Sequence, residues 1–228
     1  MDEKLLNIIN LSSNRSLLEL CCGEGEALKI TNNFSRYIGI DISEKMLENA
    51  INLHKDRNNC IFIHGDALNV PVKSKSVDDI IILGGVHHIP NRKKLFEECF
   101  RILKPNGRLL FREPASDWFL WKTLRTIIYR FSPELDHETE RPLCYLDTVP
   151  VLENAGFKKI TYKNYAFLGF CLFMNADVLH FNKIFKYIPN IKTIVEQVAK
   201  LDDWLANTKI FSNLGLQVIG VAYKTENI

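Results

Sequence analysis

Residues 16–28 have the pattern of a buried strand, a glycine loop and a helix start, and no other stretch constrains the fold as strongly. Three leucines form the short apolar run of a buried strand, which Glu19 interrupts near its carboxyl end. Gly23 and Gly25 follow, and residues 26–30 can open a helix. Glycines let the backbone turn tightly and let a ligand approach main-chain N–H groups, and a helix N-terminus adds partial positive charge. The stretch therefore predicts the ligand-binding crevice of an open α/β sheet, at the carboxyl ends of its strands.

Apolar runs with strand and helix spacing alternate along most of the chain. The later strands are predicted at residues 37–40, 60–64, 77–83, 108–112, 158–167 and 216–223. The helices are predicted at residues 2–10, 43–51, 95–103, 147–157 and 176–207. Pro105-Asn106-Gly107 is expected to stop the third of these helices. Strands that alternate with helices imply right-handed crossovers and a parallel sheet.

Length and composition favour a single cytoplasmic α/β domain over residues 1–228. The net charge is +2 and no block of like charges exceeds three residues, which argues against a nucleic-acid partner. The six cysteines lack C-x-x-C pairing, so we expect reduced thiols rather than a disulfide frame or a metal site. The N-terminus has no signal-peptide pattern, and no apolar run is long enough to span a bilayer.

The glycine loop departs from two common nucleotide-binding patterns. A dinucleotide fingerprint requires a third glycine where the helix packs on the strand, and this chain has Leu28 there. A Walker loop, G-x-x-x-x-G-K-[ST], is absent from the stretch. An NAD-dependent oxidoreductase and a phosphate-cradling site are therefore disfavoured.

Four motifs in order resemble those of class I S-adenosylmethionine (SAM)-dependent methyltransferases, in the small-molecule branch of the ubiquinone/menaquinone type. They are Glu19-x-x-x-Gly23-x-Gly25, Gly39-Ile-Asp41-Ile-Ser43 with Met46, His64-Gly-Asp66-Ala67, and Gly84-Gly-Val-His87-His88-Ile with Leu103-Lys-Pro-Asn-Gly107. The resemblance covers about residues 15–113. It implies a Rossmann-like, seven-stranded mixed α/β sheet whose last strand is antiparallel, with SAM as cofactor and S-adenosylhomocysteine (SAH) as product.

The resemblance and the chemistry of each side chain assign positions around the cofactor. Asp41, at the end of the second strand, can accept both ribose hydroxyls, or it can be a helix-capping or turn residue. Asp66 fits a carboxylate that accepts from the adenine amino group, or an N-cap. Glu19 can organise the loop amides or face the methionine ammonium through water. The full predicted cofactor set is Glu19, Leu20, Cys21, Gly23, Gly25, Asp41, Ile42, Met46, Asp66, Ala67, Leu83, Gly84 and His88.

A general base is needed only if the methyl acceptor arrives protonated. The predicted catalytic candidates are His87, His88 and Glu113, because the ends of the fourth and fifth strands open toward the methyl group. His88 can instead be structural and hold the start of the next helix. Glu113 can instead be a solvated rim residue or the partner of an arginine.

The aromatic segment after the fifth strand is the best clue to the acceptor. Residues 115–145 and 175–208 are expected to form helical cap or insert segments of the domain. Trp118, Trp121 and His137 are the predicted substrate-binding residues, although a helical satellite core would explain the aromatics equally well. Basic residues on the first segment would also suit peripheral contact with a membrane.

The sequence therefore predicts methyl transfer from SAM to a small, partly hydrophobic acceptor, by a monomer or a homodimer. A SAM-binding regulator or partner subunit without turnover is the alternative, because no base is compelling. An RNA methyltransferase lacks support, since there is no basic stripe and no Asn/Asp-Pro-Pro-Tyr/Phe motif after the fourth strand. An arsenic methyltransferase would need several thiols at one site, which leaves Cys144 and Cys171 as remote candidates.

Overall fold

The computed structural model describes residues 12–119, 122–123, 141–165, 189–208 and 215–225. The strands are β1 (Ser16–Leu20), β2 (Arg36–Asp41), β3 (Cys60–His64), β4 (Val77–Leu83), β5 (Leu103–Pro114), β6 (Lys158–Tyr165) and β7 (Gln217–Tyr223). The α-helices are α1 (Glu44–Leu53), α2 (Arg92–Ile102), α3 (Tyr145–Asn154) and α4 (Ile191–Ala206). Single 3-10 turns lie at Glu26–Lys29 and Val86–His88. The predicted helix at residues 2–10 lies outside the described residues.

The strands form one seven-stranded sheet in the order β3-β2-β1-β4-β5-β7-β6. Strands β1 to β5 pair in parallel, whereas β7 runs antiparallel to both β5 and β6. This confirms the predicted mixed sheet with an antiparallel last strand. The strand order reverses between β1 and β4, and in open α/β sheets ligands bind outside the carboxyl ends of the strands at this switch point.

Alternate residues of the central strands face two separate apolar layers. Leu18 packs in a cluster with Phe96 of α2 and Leu152 of α3. The neighbouring Leu17 packs in a second cluster with Tyr37 and with residues of the first 3-10 turn. Side chains alternate between the faces of a strand, and a parallel sheet is normally covered on both faces. The near-continuous apolar strands of the sequence are therefore explained by burial on both sides.

The glycine loop leads into a 3-10 turn rather than into the α-helix that the sequence suggested. The turn ends at Lys29, and the Thr31 hydroxyl accepts the Asn33 N–H at 3.1 Å. Threonine and asparagine are poor helix formers because their side chains bond locally to the backbone in this way. The helix therefore stops after one turn.

The strand predicted to begin at Arg108 begins five residues earlier, where α2 ends. β5 pairs with β4 at Leu103 and again from Arg108, with an irregularity between the two. Asn106 takes a left-handed φ of 62° within that irregularity, and Gly107 lies so close to Asp78 that an added Cβ would be 2.9 Å from its carbonyl oxygen. The Pro-Asn-Gly run therefore bends the start of a strand.

Candidate active site

A cleft of about 530 Å³ opens at the carboxyl ends of the central strands. Its described lining comes from the segments that follow β1, β2, β3 and β4, and consists of Cys21, Ile40, Asp41, Ile42, Gly65, Asp66, Ala67, Leu68, Gly84, Gly85, His88, Ile89 and Pro90. Ligand sites typically enclose a few hundred cubic ångströms and combine apolar walls with a few polar groups. The cleft has this size and this mixture.

Asp41 ends β2 with its carboxylate held by backbone on both sides. One oxygen accepts the Gly23 N–H at 2.8 Å, and the other accepts the Ser43 N–H at 2.9 Å. An ionised carboxylate has about four acceptor positions, so each oxygen keeps capacity for a further donor. The carboxylate is thus pre-oriented at the cleft, beside the glycine loop.

The lining beyond β3 places another carboxylate next to apolar groups. Asp66 is exposed, and its Oδ1 accepts the Leu68 N–H at 2.8 Å, which is the turn-capping bond foreseen as its alternative role. Ala67 and Ile42 line the same end, and the Ile42 side chain is 72% exposed. This end offers an acceptor at the edge of an apolar slot, as a planar base with an amino group requires.

Glu19 lies beneath the glycine loop and is fully buried. Both of its carboxyl oxygens accept the Ala27 N–H, at 2.9 and 3.1 Å, and the Tyr37 hydroxyl donates to Oε2. Burial raises the pKa of the Glu19 carboxyl to about 8, although the bonds from Tyr37 and Ala27 oppose the shift. Glu19 therefore organises the loop from below and is not among the described lining residues.

We expect the free energy of unfolding to fall as the pH rises from about 5 to 8, because of Glu19. In the unfolded chain this carboxyl loses its proton near 4.5, whereas the folded protein keeps it up to about 8. Over that interval the folded state binds one more proton, so a rise in pH favours unfolding, by at most about 1.4 kcal/mol per pH unit. Urea titrations at several pH values should show a shallower slope for Glu19→Gln. Glu26→Gln, at a half-buried neighbour whose carboxylate pairs with Lys29, should keep the wild-type slope. A Glu19→Gln slope equal to wild type would contradict the assignment.

The segment after β4 is held by Glu113, at the end of β5. This carboxylate is fully buried and accepts the N–H groups of Gly85 and Val86 at 2.8 Å each. Its other oxygen accepts the His87 N–H at 3.3 Å and bonds to His87 Nδ1 at 2.7 Å. Glu113 was predicted as a catalytic candidate, but its oxygens are engaged by this segment and it lies outside the described lining. We therefore assign it to holding the segment in place.

The two adjacent histidines take different positions. His88 lines the cleft, whereas the His87 side chain is mostly buried against Glu113 and is absent from the described lining. Their rings lie 3.9 Å apart between centroids, tilted by 40°. Because an ionised carboxylate can only accept hydrogen bonds, Nδ1 of His87 donates to Glu113, and its Nε2 is the acceptor nitrogen when the ring is neutral. Of the predicted catalytic candidates, only His88 faces the cleft.

Several predicted cofactor residues support the cleft without lining its described part. Leu20 and Leu83 are buried in the core, Met46 on α1 is 45% exposed, and the Gly23 N–H is taken by Asp41. Gly25 takes a φ of 90° at the start of the 3-10 turn. The lining residues that the sequence reasoning missed are Ile40, Gly65, Leu68, Gly85, Ile89 and Pro90. All six lie within two residues of a predicted one, so the sequence identified the right loops but not which of their residues line the cleft.

The predicted acceptor residues are largely beyond the described region. Trp118 is half-buried and lies outside the described lining of the cleft, and Trp121 and His137 fall outside the described residues. Of the expected cap segments, 115–145 and 175–208, residues 120–121, 124–140 and 175–188 likewise lie outside the described residues. Within the described ranges, no helix is long and apolar enough to cross a bilayer.

The chemistry of the lining fits SAM. Asp41 and Asp66 are its carboxylates, and none of its described residues is a lysine or an arginine. A cationic nucleoside suits such a surface, whereas a phosphate-rich dinucleotide would place anions against two carboxylates. A Cβ built on Gly84 meets no atom within 4 Å, so the cleft is open beside this glycine. The ribose hydroxyls, the adenine amino group and the sulfonium charge of SAM match these features.

Comparisons with known proteins agree with this reading of the geometry. The methyltransferase-domain family matches residues 18–111. The chain is 30% identical over 117 residues to the demethylmenaquinone methyltransferase of Staphylococcus saprophyticus, spanning 50% of each chain. It is 25% identical over 182 residues to that of Lactiplantibacillus plantarum, spanning 70% of this chain and 77% of the relative.

A solved structure supports the fold independently of close sequence similarity. Phosphoethanolamine N-methyltransferase 2 of Haemonchus contortus, in complex with SAM, superposes with a TM-score of 0.65 at 16% identity. The superposition covers 99% of this chain and 53% of that one. With the strand order and the cleft, it places this chain among Rossmann-like folds of the class I type.

Proposed function

Because this chain contains a class I SAM-dependent methyltransferase domain, we propose that it transfers the methyl group of SAM to a small, partly hydrophobic acceptor. The observation that carries the proposal is Asp41. Its carboxylate is fixed by Gly23 and Ser43 at the mouth of a cleft whose described lining has no cationic side chain. This arrangement is suited to a ribose diol next to a positive charge.

The residues of the cleft divide between the parts of the cofactor. Asp41 accepts the ribose hydroxyls, Asp66 accepts the adenine amino group, and Ile42 and Ala67 contact the adenine ring. When bound, SAM supplies an electrophilic methyl group on a positively charged sulfur. The N–H of Gly84 is used by the Arg112 carbonyl at 2.9 Å, and that of Gly85 by Glu113. The carbonyl oxygens of Gly85, Val86 and His87 also accept N–H groups of the protein, and we assign the Gly84 carbonyl oxygen to the methionine ammonium.

The protein's tasks in the reaction are alignment and exclusion of water. An acceptor that approaches in line with the departing sulfur needs a base only if its nucleophilic atom carries a proton. We assign that base to His88, because it faces the cleft at the end of β4. His87 and Glu113 support this role by holding in place the segment that carries His88.

The names of the relatives support one class of acceptor. Several relatives are demethylmenaquinone methyltransferases, but the Staphylococcus saprophyticus match spans only half of that enzyme. We propose an aromatic acceptor of the demethylated quinol type, with Trp118, Trp121 and His137 as the residues that bind it. Such a ring is nucleophilic at carbon once its hydroxyl is deprotonated.

The test is transfer of radiolabelled methyl from SAM to a demethylmenaquinol in detergent micelles. We expect label in the extracted lipid and one equivalent of SAH per methyl transferred. His88→Asn should lower kcat by about 100-fold, in the range that a general base contributes, while the Kd for SAM stays within about threefold. SAM binding without label in this or in a panel of phenolic acceptors would favour the alternative of a SAM-binding partner protein. Absence of SAM binding would refute the proposal.

A further inference from the structure

The connection between β3 and β4, residues 65–76, contains no helix or strand. It nevertheless supplies Gly65, Asp66, Ala67 and Leu68 to the cleft. Crossovers between parallel strands are usually α-helices, whose backbone groups satisfy one another. Here the backbone of the connection needs partners from elsewhere, and its geometry depends on them.

Arg101, in the last turn of α2, supplies most of those partners. Its guanidinium donates to the Val72 carbonyl at 2.9 Å and to the Val70 carbonyl at 3.0 Å. It also donates to the Ser74 hydroxyl at 3.1 Å, and its own carbonyl accepts the Lys75 N–H at 2.9 Å. One side chain therefore spans the second half of the connection, which only a planar group with five donors can do.

Glu98, one turn earlier on α2, completes the clamp. It is mostly buried and bonds to the Arg101 guanidinium at 2.8 Å. Its Oε2 also accepts the Val70 N–H at 3.3 Å. Both backbone groups of Val70 are thus held by the pair, and the Val70 side chain lies in the core beside Ala67. Val70 is four residues from Asp66, so the clamp fixes the chain just beyond the adenine end of the cleft.

We infer that Arg101 is a positioning residue for base recognition: through Val70 and Val72 it holds Asp66 where the carboxylate selects the purine 6-amino group. The inference rests on the proposed function, because it takes the Asp66 end of the cleft as the adenine end. Arg101 itself is not in the described lining, and the hydrogen bonds described for its side chain go to the connection and to Glu98. Its effect is therefore on the selectivity for the base, transmitted by the backbone of residues 66–72.

The experiment compares the binding of SAH and S-inosylhomocysteine by calorimetry. The two compounds differ at position 6 of the purine, where an amino group is replaced by a carbonyl oxygen, and at the adjacent N1, which then carries a hydrogen. The wild-type protein should prefer SAH by about tenfold or more, the range of a hydrogen bond to a charged group. Arg101→Lys keeps the charge beside Glu98 but replaces a planar group of five donors by one nitrogen with three. That nitrogen cannot serve Glu98, the two carbonyls and Ser74 together, so we expect the preference to fall by at least about threefold. Glu98→Gln should change it in the same direction.

Arg15→Lys is the matched control. Arg15 is 31% exposed against 34% for Arg101, and it likewise bonds to a carboxylate, that of Asp79, and to a backbone carbonyl, that of Asp78. The described bonds of its side chain go to the start of β4 and not to residues 65–76, so its substitution should leave the SAH preference within about twofold of wild type. Thermal unfolding of each variant confirms that it is folded.

The possible results distinguish a failure of this inference from a failure of the proposed function. If the wild type prefers SAH and Arg101→Lys keeps that preference, Arg101 has no role in base recognition, whatever happens to overall affinity or stability. If SAM and SAH bind but the wild type has no preference, the adenine assignment of Asp66 is wrong and the inference falls with it. A loss of preference in Arg101→Lys but not in Arg15→Lys supports the inference.

Discussion

Asp41→Asn is expected to weaken SAM binding by at least about 100-fold. Two hydroxyls that donate to one carboxylate are each worth about 1.5 kcal/mol or more as charged hydrogen bonds, and together they correspond to about 100-fold in Kd. The NH2 group of the new asparagine would also face the N–H of either Gly23 or Ser43, and both of these N–H groups need an acceptor. Loss of the charge and misplacement of the glycine loop therefore act in the same direction. Calorimetry with SAM and SAH measures the effect.

Asp78→Asn is the control for Asp41→Asn. Asp78 also accepts a backbone N–H, that of Ser16 at 2.9 Å, and it is the second residue of the central strand β4. It lies near the amino end of β4, away from the cleft, so we do not expect it to contact the cofactor. Its substitution should cost stability and leave the Kd for SAM within about threefold. If Asp41→Asn binds SAM as tightly as Asp78→Asn does, the cofactor does not lie at the end of β2.

The cleft is shaped by acidic side chains that accept backbone N–H groups from its loops. The pairs are Glu19 with Ala27, Asp41 with Gly23 and Ser43, Asp66 with Leu68, Glu98 with Val70, and Glu113 with Gly85, Val86 and His87. Irregular loops carry backbone groups that no helix or sheet satisfies, and buried ones need partners. Carboxylates fulfil this need and leave the lining negative or neutral, which matches a cationic cofactor.

The strands and the cofactor end of the cleft could be predicted because they depend on local pattern. β3 and β4 have the predicted bounds, and Asp41 and Asp66 follow apolar runs whose carboxyl ends must meet at one edge. The role of Glu113 could not be predicted, because its partners lie 26 to 28 residues away in the chain. Residue type alone does not distinguish an acid that faces a ligand from one that holds a loop.

Cys21 shows a second limit of pattern reasoning. It lines the cleft with a left-handed φ of 54°, a conformation that favours glycine. A Cβ built on Gly85 would lie 2.5 Å from the Cys21 Cβ, so any side chain at position 85 would clash with Cys21. The sequence shows a cysteine before the loop but gives no sign that its backbone is left-handed. Such a conformation is imposed by the turn out of β1 and by the packing against the segment after β4.

Removal of the Glu113 carboxylate is expected to cause the largest loss of stability. Glu113→Ala leaves three buried or half-buried backbone N–H groups, on Gly85, Val86 and His87, without their acceptor. Each unsatisfied buried donor costs about 1–3 kcal/mol, and partial entry of water reduces the sum to about 4 kcal/mol. This is a large fraction of a typical free energy of unfolding, about 5–15 kcal/mol. Urea denaturation measures it, and saturating SAM should recover part of the loss if the cofactor orders the same segment.

A double-mutant cycle with His87→Ala identifies which partner of Glu113 matters. The carboxylate bonds to three backbone amides and one imidazole, so most of its contribution should survive when the imidazole is absent. We expect Glu113→Ala in the His87→Ala background to cost at least about two thirds of what it costs alone. If the cost instead vanishes there, Glu113 acts by orienting His87. The segment that carries His88 would then be held by its own turn. The assignment of Glu113 and His87 as a buried pair that supports His88 would be wrong.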